Sequence, residues 1–162
     1  MNNNDILRRI RYCFDFSDSE MVEIFALANH KVDRDQICNW LKKEDDPEFL
    51  PCRDSELAIF LNGLIIEKRG KKEGPEPEPD QVLTNNVVLK KLKIALDLRA
   101  EDMLDILALS DMSISKHELS ALFRKPGHKH YRECKEQLLR NFLTGVQEKL
   151  RGTNEENDLG SK

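Results

Sequence analysis

His128, His130 and Cys134 fall within one short stretch of the chain, and these are residue types that ligate metals or attack carbonyls. Two imidazoles and a thiolate can hold zinc, but a fourth ligand is not evident, and a copy of this stretch earlier in the chain has Asp46 and Glu48 in place of the histidines. No metal site is therefore expected. Cys134 with His130 could act as nucleophile and base, yet the two stand four residues apart with no third group to orient them. Glycine-rich phosphate loops, H-E-x-x-H and G-x-S-x-G are all missing. The expectation is a non-catalytic protein with no catalytic residue, metal or cofactor.

The same stretch is rich in cations: Arg124, Lys125, His128, Lys129, His130, Arg132 and Lys135 form the candidate interaction surface. An anion or nucleic-acid surface is the sharp interpretation, and a solvated loop is the plain one. Residues 1–70 carry 10 basic and 14 acidic side chains, net −4, whereas residues 85–152 carry 13 and 9, net +4. Such a dipolar chain can orient its halves against each other or against a partner. A further basic stripe, Arg8, Arg9 and Arg11, recurs as Lys90, Lys91 and Lys93 and could meet an acidic partner.

These residues are carried by a duplicated framework. An offset of 82 positions registers the halves without a gap: Leu7 meets Leu89, Asp15 meets Asp97, Cys52 meets Cys134, and Phe60-Leu61-Asn62-Gly63 meets Phe142-Leu143-Thr144-Gly145. Each copy reads as four helices. The first presents Ile6, Leu7, Ile10 and Phe14, or Val88, Leu89, Leu92 and Leu96, with Asn3 and Asn4, or Asn85 and Asn86, as expected N-caps. The second follows Ser17 with Glu20 three later, a capping-box pattern. The third follows Asp33-x-x-Gln36 or Ser115-x-x-Glu118 and presents Ile37, Trp40 and Leu41, or Leu119, Leu122 and Phe123. The fourth presents Leu57, Phe60, Leu61 and Leu64, or Leu139, Phe142, Leu143 and Val146, and is expected to stop at Gly70 or Gly152.

The second and third helices have the apolar spacing of a helix-turn-helix, but Lys31 or Ser113 stands where its turn usually has glycine. The start of the would-be recognition helix, Asp33-Arg34-Asp35-Gln36, would set carboxylates against phosphates. Gly63 and Gly145 interrupt the longest helix of each copy and point to a close helix–helix or copy–copy approach. The four cysteines form no C-x-x-C pair and are expected as buried thiols. Alternating Pro and Glu over 71–84 marks an extended linker, and the polar end, 153–162, is expected to be disordered. No apolar run could span a bilayer, and Asp5, Arg8, Arg9 and Arg11 break any apolar start, so the protein is expected in the cytoplasm with no membrane partner.

Several motifs taken together resemble the YehS-like bacterial family of unknown function, whose members are similarly duplicated. They are Asn3-Asn4-Asp5-Ile6-Leu7-Arg8, Trp40-Leu41-Lys42-Lys43-Glu44-Asp45, Phe60-Leu61-Asn62-Gly63-Leu64-Ile65, Asn85-Asn86-x-Val88-Leu89-Lys90-Lys91-Leu92 and Tyr131-Arg132-Glu133-Cys134. The resemblance implies no substrate, cofactor or catalytic residue. The expected architecture is all-α: helical repeat 1 over 1–70, a linker over 71–84, helical repeat 2 over 85–152, and the two repeats docked on each other. The expected function is a protein–protein interaction or adaptor module, using the long fourth helices and the basic loop 124–135. The alternative is nucleic-acid binding through the third helices or that loop. The protein partner is unknown, and a homodimer stays open.

Overall fold

A computed structural model describes residues 1–75 and 78–152; the expected disordered tail, 153–162, lies outside the described residues. Copy 1 consists of α1 (Asn3–Phe14), α2 (Asp18–Leu27), α3 (Arg34–Leu41) and α4 (Asp54–Arg69). Copy 2 consists of α5 (Asn85–Ala95), α6 (Ala100–Leu109), α7 (Lys116–Ala121) and α8 (Glu136–Gln147). No strand occurs among the described residues.

Local chemistry sets the boundaries in both copies. Ser17 and Glu20 form the expected capping box on α2, Asp33 caps α3 by accepting from the Gln36 N–H at 2.8 Å, and Ser115 with Glu118 boxes α7. The reversals after α1 and α5 rest on Asp15 and Asp97 at φ 55° and 53°, and those after α2 and α6 on Asn29 and Asp111, both at φ 59°. Short polar side chains tolerate this left-handed backbone, so no glycine is needed there.

Two expected boundaries are corrected. The N-caps of α1 and α5 are Asn2 and Thr84, one position before the asparagine pairs. Asn4 and Asn86 instead turn inward and are buried. Each donates to two carbonyls and accepts one backbone N–H. Asn4 bonds Trp40 O and Leu50 O, both at 2.8 Å, and Cys52 N at 3.0 Å. Asn86 bonds Leu122 O at 2.9 Å, Arg132 O at 2.8 Å and Cys134 N at 2.9 Å. One side chain thus pins the third helix and the loop after it to the first helix, and satisfies backbone groups that no helix ladder reaches. The second correction concerns α8. Gly70 stops α4 at φ 86°, but α8 gives way after Gln147 to a π-helical turn, Glu148–Gly152, before Gly152 is reached.

The glycines mark contacts inside each copy. A Cβ on Gly63 would stand 2.0 Å from the Ile24 carbonyl oxygen, and one on Gly145 2.0 Å from that of Ile106. The close approach is therefore α4 on α2 and α8 on α6.

The copies dock through a reciprocal exchange. The fourth helix of each packs beside the first helix of the other, α4 on α5 and α8 on α1, and one continuous apolar core runs through both. Polar contacts along the two seams repeat at the duplication offset. Arg9 donates to Thr144 Oγ1 at 2.9 Å, and its counterpart Lys91 to Asn62 Oδ1 at 2.6 Å. Arg69 pairs with Asp97 at 2.8 Å, and Arg151 with Asp15 at 3.4 Å. The Leu83 N–H donates to Asp54 at 2.9 Å, and the Met1 amine to Glu136. This is the pattern of an isologous two-fold interface, built here within one chain. The contacts step along α4 and α5 in the same direction, so the two helices run parallel. The linker must therefore travel back along α4, a distance of about 20 Å that its residues cover easily when extended.

Candidate interaction surface

The basic loop is a copy of the earlier loop in backbone and a departure from it in side chains. In copy 1 the Glu48 N–H bonds the Asp46 carboxylate at 2.9 Å, and Leu50 N bonds Asn39 O at 3.1 Å. In copy 2 the His130 N–H bonds His128 Nδ1 at 3.0 Å, and Arg132 N bonds Ala121 O at 3.1 Å. His128 thus holds the same turn with an imidazole that Asp46 holds with a carboxylate. The turn exposes all seven of the expected surface residues: Arg124, Lys125, His128, Lys129, His130, Arg132 and Lys135.

The structure divides them into two groups. Arg132 lies 3.7 Å from Glu118, and Lys135 lies 3.3 Å from Glu133. The Ser115 backbone N–H, then its hydroxyl, hold the Glu118 carboxyl below the usual carboxylate range, and Arg132 adds to the effect. Arg124, Lys125 and Lys129 have no carboxylate at ion-pair distance among the described residues. His117 at the start of α7 joins the histidines, its ring 6.4 Å from that of His130, which is itself 5.6 Å from His128. Sequence spacing gave no hint of His117, because it reaches the loop from a separate helix.

A cavity of about 450 Å³ opens beside this loop. Ile114, Leu122, Tyr131 and Leu138 give it apolar walls, while Arg132 and Lys135 with their carboxylate partners line the rest. Comparison of the copies accounts for the apolar wall. Leu122 stands where copy 1 has Trp40, which is fully buried with its ring 5.3 Å from that of Phe25. Leu138 stands where copy 1 has Glu56, a buried carboxylate that accepts the Arg53 N–H at 2.9 Å. Copy 2 thus has no aromatic filler and no capping carboxylate at these positions, and the N-cap of α8, Lys135, makes no side-chain cap bond.

Other candidate chemistry disperses. Cys134 is fully buried, its Sγ 3.7 Å from the Lys135 carbonyl, and burial pushes its thiol up to about 11. Its counterpart Cys52 is pushed up to about 12 for the same reason. A thiol so protonated is a poor nucleophile near neutral pH. No group of three His, Cys, Asp or Glu side chains that could hold a metal occurs among the described residues. Of the helix-turn-helix expectation, α3 keeps exposed Asp33 and Asp35 at its start, and α7 spans only 6 residues. The fourth helices, expected as partner surface, bury their apolar faces against the second helix of their own copy and the first helix of the other. No helix is long and apolar enough to cross a membrane among the described residues.

Comparison with known proteins agrees with this duplicated architecture. The family described as "Protein of unknown function (DUF1456)" matches residues 3–70 and, separately, residues 85–152. The chain is 47% identical over 147 residues to "Uncharacterized protein YehS" of Escherichia coli (strain K12), covering 90% of this chain and 94% of that protein. No solved structure matches the chain.

Proposed function

The chain belongs to the DUF1456 family, and we propose that it is a non-catalytic protein–protein interaction module whose partner docks on the second copy. The observation that carries this reading is the cavity beside the basic loop. It combines an apolar wall with two rim cations, and it lies where copy 2 departs from the packing of copy 1. Binding sites are commonly concave and mostly apolar, with a few polar groups that fix orientation. Duplication frees one copy to change its surface while the shared core preserves the fold.

The test is a photo-cross-linking amino acid at Tyr131 in the full chain, exposed to Escherichia coli lysate. The expected result is a discrete protein adduct that disappears when Leu138→Glu or the pair Arg132→Ala and Lys135→Ala is introduced. Absence of an adduct, or an adduct indifferent to these changes, contradicts the reading.

One observation favours nucleic acid as the second reading: the exposed cations Arg124, Lys125 and Lys129 are free of carboxylate partners among the described residues. On that reading the chain binds mixed nucleic acid at low salt, affinity falls as salt rises, and alanine at these three positions removes it.

A further inference from the structure

The two seams between the copies repeat the same polar contacts, but the charges beside them differ. At the α4/α5 seam the chain's own linker supplies a carboxylate. Asp80 lies 3.3 Å from Lys91, which also donates to Asn62 across the seam. At the α1/α8 seam the counterpart of Lys91 is Arg9. It makes the counterpart bond, to Thr144 at 2.9 Å, but no carboxylate lies at ion-pair distance among the described residues. Two adjoining cavities of about 320 and 380 Å³ open there, both lined by Arg8 and Arg9, with Tyr12 and Leu41 at one end and Arg140 at the other. Arg8 holds Asp5, and Glu136 is shared between Arg140 and the Met1 amine, so Arg9 is the cation without a carboxylate and Arg140 adds a second charge at the end of the groove.

We propose that the α1/α8 seam is a docking groove for an acidic peptide from a partner protein, with a carboxylate seated on Arg9 as Asp80 is seated on Lys91 at the matching seam. Charge complementarity carries the choice of occupant. Lys91 shows what the groove accepts: a carboxylate carried by a segment outside the helices. The proposal concerns a different face from the cavity beside the basic loop, and it stands or falls without it.

The probe is a fluorescent synthetic peptide of residues 73–83, titrated into the full chain at low salt, where exposed charge pairs are least screened. Saturable binding is expected. It should weaken at least about tenfold in Arg9→Gln or Arg140→Gln and stay unchanged in Lys91→Gln. It should vanish when the probe's Asp and Glu become Asn and Gln. Arg140 is an exposed residue of α8, so its variant tests the groove should Arg9→Gln not fold. Three results overturn the proposal: no saturation at millimolar probe, equal binding by a folded Arg9→Gln or Arg140→Gln variant, or binding that appears only after residues 153–162 are removed. The last would assign the groove to the chain's own tail.

Discussion

Gly63→Ala lowers the thermal midpoint of the full chain by about 4–8 °C, and Gly145→Ala does the same. Helix propensity alone argues the other way, since alanine is favoured over glycine by about 1 kcal/mol in a helix interior. The opposing effect is larger. The new methyl would stand 2.0 Å from the carbonyl oxygen of Ile24 or Ile106, and that neighbour is backbone, which no rotamer change can move aside. The paired helices must separate, opening the core around Phe60 or Phe142, both fully buried. Overpacking of this kind costs about 3 kcal/mol or more, which exceeds the propensity gain. Circular dichroism melts of the two variants check it. A midpoint equal to or above that of the parent would mean that α2 and α4 do not approach this closely.

Asn4→Ala has an effect of similar size for a different reason. The substitution leaves two carbonyls, Trp40 O and Leu50 O, and the Cys52 N–H without partners in a buried place. Each such orphan costs about 1–3 kcal/mol, so a total near 4 kcal/mol is expected, a large part of the stability of a domain this size. Asn4→Asp separates hydrogen bonding from shape. It keeps the size and the acceptor but turns a donor toward two carbonyls into a negative charge, so it should destabilise at least as much as alanine. Urea denaturation of both variants, and of Asn86→Ala, measures this. An Asn4→Asp protein as stable as the parent would contradict the clamp.

How much of this was legible in the residues follows from what periodicity can carry. The 82-residue register, the apolar faces and the caps at Ser17, Asp33 and Ser115 depend on local spacing, and the structure contains all of them. Gly63 and Gly145 were legible as points of close approach because a mid-helix glycine has a local cost that needs a reason. The asparagine pairs are ambiguous in sequence, because a polar residue before an apolar run suits both a cap and a buried clamp. Only the distant carbonyls of Trp40 and Leu50 decide between them. The left-handed positions at Asn29 and Asp111 carry no glycine to mark them, because a short polar side chain suits that backbone and many others. The parallel seams, the reciprocal pairs such as Arg69–Asp97 and Arg151–Asp15, and the approach of His117 to His130 all join residues remote in sequence. The cavity beside the basic loop depends on what Leu122 and Leu138 leave unfilled where Trp40 and Glu56 stand in the other copy, which no local spacing encodes.

The central claim is that neither copy completes its core alone, because each lends its fourth helix to the first helix of the other. A chain of residues 1–72, examined by sedimentation equilibrium and thermal melting over a range of concentrations, tests it directly. The two-fold character of the seams predicts that this chain is either unfolded or folded only as a self-associated species whose midpoint rises with concentration, with a second copy taking the place of α5 and α8. A cooperatively folded monomer with a concentration-independent midpoint would contradict the account.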